Sequence, residues 1–139
     1  MDWAGLSATS HYQTAVAVKQ KLEEQNIADA TLGIEELIEA LGRSDKRALR
    51  SQLTRLMAHI VKWKIQPQQR SRSWLVTITD ARNEITGILE DEPSLRRSVP
   101  ELWDKCFNAA KRLAWDETGV EPMISALTER EVFEERYSL

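Results

Sequence analysis

The amino-acid sequence predicts an all-α protein, a compact antiparallel bundle of about five to six helices. Three observations carry that expectation. Two long stretches repeat apolar residues at alternating spacings of four and three, as one buried helical stripe does: Leu49, Leu53, Leu56, Ile60 and Trp63, then Trp74, Ile78, Ala81, Ile85 and Ile88. Only 5 Gly and 4 Pro punctuate 139 residues, too few for a turn-rich β architecture. Hydrophobic residues make up 42% and charged residues 29%, the composition of a chain that can build a core rather than remain disordered. The length suits a single helical domain over 1–139, with 1–9 a loose start and 119–139 an acidic extension.

Each element follows from local signals. Ser10 is placed to cap a first helix whose Tyr12, Ala15, Val18 and Leu22 recur at helical spacing, fraying near Asn26. Asp29 or Thr31 can cap a short second helix striped by Ile34, Leu37, Ile38 and Leu41, with Gly42 as its terminator. Ser44 then caps a third, with Asp45 favourably in its first turn, and Pro67 stops it. A fourth starts at Ser71 or Ser73 and reaches about Glu90; its β-branched run Val76–Thr79 lies inside a longer helical period and is read as helix. Pro93 opens one turn at most. Ser98 with Glu101 fits a capping box for a fifth helix, which carries Leu102, Cys106, Ala109, Ala110 and Leu113 and ends before Gly119. A sixth is expected from Thr128, anchored by Val132, Phe133 and Tyr137.

The net charge of −3 conceals a strong asymmetry. Between Arg43 and Arg72 nine bases face one acid, Asp45, so this segment carries +8 and the rest of the chain −11. The single cysteine, Cys106, excludes an internal disulfide and a cysteine metal cluster. The opening MDWAGLSATSHYQ has neither the basic start nor the apolar run of a signal peptide, and no stretch approaches the ~18 apolar residues of a membrane span. A cytoplasmic protein with no membrane partner is expected.

Two constellations bear chemistry. Glu36 and Glu39 share a helix face, and His59 would have to come from a facing helix to complete a metal-binding or hydrolytic site. The run Glu35-Glu36-Leu37-Ile38-Glu39 also spells half of a magnesium motif, but no acid lies between Lys46 and Trp63 to supply the second carboxylate pair. The basic band offers Arg43, Lys46, Arg47, Arg50, Lys62, Lys64, Arg70 and Arg72 as anion or nucleic-acid contacts, although Trp63 and Trp74 fall on core stripes. Its simplest neutralisation is by the chain's own acids, especially Glu23, Glu24 and the acidic tail. Arg55 and His59 stand one turn apart with only Leu56, Met57 and Ala58 between them, a poor match to the Arg–His pair of helical ribonucleases.

Ile38–Ser44 followed by His59–Trp63, the Gln66-Pro67 step, Arg70–Trp74 and Pro93–Arg96 resemble, in that order, the bacterial domain-of-unknown-function family 29 (DUF29), abundant in cyanobacteria. The resemblance covers about residues 10–118. It implies a compact α-helical fold and a bacterial, cyanobacterial source, and it implies no activity. The chain departs from the family pattern at Leu37, where the family has a second acid, and at Ala30 and Gly33.

The function expected from these readings is that of a non-enzymatic helical interaction module, binding another protein or a second copy of itself and needing no cofactor. The alternatives are a metal-binding protein or hydrolase built on Glu36, Glu39 and His59, and nucleic-acid binding through the band 43–72.

Overall fold

A computed structural model describes all 139 residues. Its regular elements are helical: α1 (Trp3–Thr9), α2 (His11–Glu23), α3 (Ile27–Ile65), α4 (Arg72–Asp91) and α5 (Ser98–Thr118). Short 3₁₀ turns lie at Pro67–Gln69 and Pro93–Arg97, and one wide turn at Arg130–Glu134. The chain divides into two compact units, Met1–Lys46 and Arg47–Leu139, and α3 contributes its first half to one and its second half to the other.

In the first unit, residues 1–9 are not loose. The Asp2 carboxylate accepts the Gly5 amide at 3.0 Å, capping α1, and Trp3 is buried. Ser10 ends α1 and caps α2, its hydroxyl accepting the Gln13 amide at 3.0 Å. Gln25 takes a left-handed conformation (φ 61°) in the turn that follows. The cap of α3 is Asn26, whose side chain accepts the Asp29 amide at 3.2 Å; the expected caps lie inside the helix, where the Thr31 hydroxyl donates to the Ile27 carbonyl instead.

The break expected at Gly42 does not occur, and the second and third helices of the sequence reading are one. Of the glycines only Gly119 has positive φ, so Gly42 does not form a left-handed cap. A mid-helix glycine costs about 1 kcal/mol relative to alanine, and its neighbours Ala40, Leu41, Arg43, Lys46 and Ala48 are mostly good helix formers. The local penalty is too small to reverse the chain.

The buried faces of this unit also differ from the expected stripes. On α2 Val18 and Thr14 are buried, while Tyr12, Ala15 and Leu22 are exposed. On the first half of α3 the buried side is Ala30, Gly33, Leu37 and Ala40, and Ile34, Ile38 and Leu41 face out. Close packing explains the choice. A β-carbon at Gly33 would stand 2.7 Å from Trp3 Cζ3 and 2.8 Å from Val18 Cγ2, so the small-residue side of α3 is the one that meets Trp3 and Val18. The Trp3 indole N–H then donates to Asp29 at 2.8 Å, and Lys21 lies 3.6 Å from the same carboxylate. These contacts hold Asp29 below the usual carboxylate range: the Trp3 hydrogen bond is the main cause, and Lys21 adds to it.

The second unit is an up-down-up arrangement of the second half of α3, α4 and α5. Arg55 meets Asp80 at 3.0 Å and Lys62 lies 5.1 Å from the Trp74 ring centre, so α4 runs antiparallel to α3. The Cys106 thiol lies 3.7 Å from the Arg50 carbonyl and Lys62 meets Glu117 at 2.5 Å, so α5 runs in the direction of α3. The core takes Leu49, Leu53, Leu56, Ile60 and Trp63, then Ile78, Ala81 and Ile85, as the two stripes predict. On α5 the buried side is Cys106, Phe107, Ala110 and Ala114; Ala109 and Leu113 are exposed. Ser98 does not cap this helix. The preceding 3₁₀ turn feeds directly into it, leaving Ser98 helical and buried.

The expected sixth helix is reduced to the single turn at Arg130–Glu134, yet its anchors hold: Val132 is fully buried, and Phe133 and Tyr137 pack on the core. Side chains of the bundle take the carbonyls that a longer helix would need. Arg82 donates to the carbonyls of Val132 and Glu131 at 2.8 and 3.1 Å, the Tyr137 hydroxyl donates to Glu131 at 2.7 Å, and the Trp103 indole donates to Leu127 at 3.1 Å.

Candidate functional site

Glu36, Glu39 and His59 are not brought together. Glu36 and Glu39 lie in the first unit and His59 in the second, on the two halves of α3. Glu39 pairs with Arg43 at 3.8 Å on the exposed side of the helix. No group of three or more His, Cys, Asp or Glu side chains gathers with metal-binding geometry. His59 is held by its own helix: Nδ1 lies 2.9 Å from the Arg55 carbonyl, which can only accept, so Nδ1 carries the proton. Burial lowers its pKa, and the nearby Lys62 and Arg55 charges act the same way against the raising effects of the Arg55 carbonyl and Glu117.

The basic band separates into engaged and free cations. Lys62 is buried against Glu117 and the Trp74 ring, and Lys64 pairs with Glu131 of the tail. Arg70 donates to the Trp63 carbonyl at 2.9 Å and stacks 4.8 Å from that ring's centre. The tail thus neutralises part of the band, as the charge balance predicts. Glu24 instead pairs with Lys21, and Glu23 lies near Lys19. Lys46, Arg47, Arg50 and Arg72 are exposed and have no carboxylate within ion-pair distance.

Arg47 and Arg50 enter a cleft of about 570 Å³ within the second unit, formed along α3 and α5. Arg47, Arg50, Ser51 and Thr54 fall at helical i, i+3, i+4, i+7 spacing and share one face of α3. Lys105 joins them from α5, where the neighbouring Cys106 fixes the packing against Arg50. Ala58, Ala109 and Leu113 supply an apolar wall, and His59 and Glu117 also line the cleft. Lys105 was invisible in the sequence reading because it lies 55 residues from Arg50 and outside the basic band. The signal that could have found it was the parallel course of α3 and α5 implied by three consecutive antiparallel helices.

The second notable feature is the exposed apolar surface of the first unit. Besides Met1, eight large apolar side chains are exposed in these 46 residues: Tyr12, Val16 and Leu22 from α2, Ile27 at the start of α3, and Leu32, Ile34, Ile38 and Leu41 along it. Ile34, Ile38 and Leu41 are spaced four and three and form one stripe, with Ile38 64% exposed. The stripe was legible in the sequence as an apolar face; its exposure was not.

These features define an all-α bundle protein with a cationic cleft and an uncovered apolar helix face. The chain belongs to the family described as Domain of unknown function DUF29, whose model matches residues 10–137. No curated protein and no solved structure matches the chain. No helix is long and apolar enough to cross a membrane.

Proposed function

We propose that this protein is a non-enzymatic interaction module that associates with a second copy of itself through the outward stripe of α3, in the cytoplasm of a cyanobacterium. The carrying observation is the exposed Ile34–Ile38–Leu41 stripe, flanked by charge of opposite sign on its two sides. From Glu23 to Leu41 every charged residue is acidic: Glu23, Glu24, Asp29, Glu35, Glu36 and Glu39. Immediately after the stripe come Arg43 and Lys46, with the single acid Asp45 between them. A helix whose charge changes sign across its apolar patch is its own complement when two copies lie antiparallel. A two-fold axis between Ile38 and Leu41 would set Ile38 against Leu41 of the other copy and Glu36 against its Arg43. A parallel pair would oppose like charges. The lone buried thiol is compatible with a reducing cytoplasm.

Light scattering behind size exclusion tests the reading. The wild-type chain is expected to dimerise, and Ile38→Glu to weaken the dimer by at least about 100-fold, because two apolar side chains of roughly 1.5 kcal/mol each lose their burial. Glu36→Arg or Arg43→Glu alone should weaken it and the double exchange should restore it. A chain that stays monomeric to about 1 mM, or a dimer indifferent to Ile38→Glu, refutes self-association through this face.

A further inference from the structure

We propose that the cleft along α3 and α5 binds a small phosphate-bearing molecule with an apolar portion. The cleft's volume of about 570 Å³ lies within the ~300–1,000 Å³ range of small-ligand sites. Three cations, Arg47, Arg50 and Lys105, line it from two helices, and no carboxylate is within ion-pair reach of any of them. Arg55 lines the cleft as well, but its guanidinium is already held by Asp80 at 3.0 Å and by Gln52 at 3.2 Å. The one acid in the lining, Glu117, is taken by Lys62.

The remaining groups suit a phosphate ester. Guanidinium forks bind phosphate oxygens two at a time, and a lysine adds a point charge. Ser51 and Thr54 sit on the same stripe as the two arginines, and neither hydroxyl bonds back to its own helix as those of Thr31, Thr86 and Thr118 do. They remain available to an oxyanion or to a ligand hydroxyl. Ala58, Ala109 and Leu113 offer an apolar surface to the body of the ligand. With its proton on Nδ1, His59 keeps Nε2 as an acceptor in the lining.

A small ligand is favoured over a nucleic-acid strand by where the other cations go. A strand needs a continuous track of free charge. Here Lys62, Lys64 and Arg70 are spent on Glu117, Glu131 and Trp63, so the track is interrupted.

Calorimetric titration with inorganic pyrophosphate, against chloride at equal ionic strength, tests the site. Saturable binding is expected, weakened at least about tenfold by Arg50→Ala and by Lys105→Ala and changed less than about twofold by Arg72→Ala, an exposed cation of the same unit outside the cleft. Thermal midpoints of the variants check that each is folded. No saturable binding below about 1 mM, or equal weakening by Arg72→Ala, overturns the proposal. So does a single-stranded decanucleotide that binds more tightly than pyrophosphate, with a salt dependence of several released ions and equal sensitivity to all three substitutions, which would mark a diffuse nucleic-acid surface. None of these outcomes depends on the oligomeric state.

Discussion

Tyr137 shows how much of this fold is secured by single side chains. Its hydroxyl holds the Glu131 carbonyl, its ring meets Trp63 edge-on at 5.9 Å between centroids, and the Arg82 guanidinium lies 5.5 Å from its centre. Burial, with added repulsion from Glu135 and Glu131, pushes its pKa up to about 12. A phenol whose folded pKa exceeds its unfolded value of about 10 contributes stability that is complete below pH 10 and lost as pH rises towards 12. The thermal midpoint of the wild type should therefore fall more steeply between about pH 10 and 12 than that of Tyr137→Phe, which begins lower for want of the hydrogen bond. Parallel curves for the two proteins would contradict this placement. Phe133 and Tyr137 were legible as anchors, with Val132 beside them, because they stand four positions apart, one helical turn, in an otherwise acidic stretch. Arg82 as their partner was not, since a lone arginine within an amphipathic helix reads as a solvated charge.

The elements were legible where the apolar period was long. The stripe Leu49–Trp63 entered the core as predicted, and of Trp74–Ile88 the middle three are buried with Trp74 and Ile88 packed against them, because five apolar side chains in register leave a helix one way to turn. The shorter stripes of α2 and the first half of α3 misled for the opposite reason. There two faces compete, and the smaller one is buried because Gly33 lets α3 approach Trp3 and Val18. Gly33 and Gly42 therefore have opposite roles although both are helical, and alanine at each distinguishes them. Gly33→Ala should destabilise the first unit by about 1–3 kcal/mol through overpacking. Gly42→Ala should stabilise α3 by about 0.5–1 kcal/mol, since nothing lies within 4 Å of its added carbon. Denaturant midpoints followed by helical circular dichroism check both. A loss of stability in Gly42→Ala would reinstate the helix break that the sequence suggested.

Across the whole molecule the core is unevenly shared. The main cluster of the second unit has 19 buried apolar residues, and that of the first has Trp3, Val18 and Ala30. Stability follows burial, so amides of α1 and α2 should exchange with solvent at least about tenfold faster than those of α4 and α5. Raising protein concentration should slow exchange in the first half of α3 if self-association covers it. Uniform protection would show that the first unit draws stability from elsewhere. The charge asymmetry was plain in the sequence. The cleft was not, because it needs the lateral packing that puts Lys105 of α5 in one lining with Arg47 and Arg50 of α3, which no local pattern encodes.

Cys106 gives this unevenness a chemical readout. Its sulfur is sealed in the second unit beneath the Arg50 carbonyl, and the chain holds no other thiol. A thiol reagent present throughout therefore records only the moments when that unit opens, as a running count of rare events. The first unit can open and close unrecorded by the same reagent, so the labelling rate becomes a clock for one half of the protein alone.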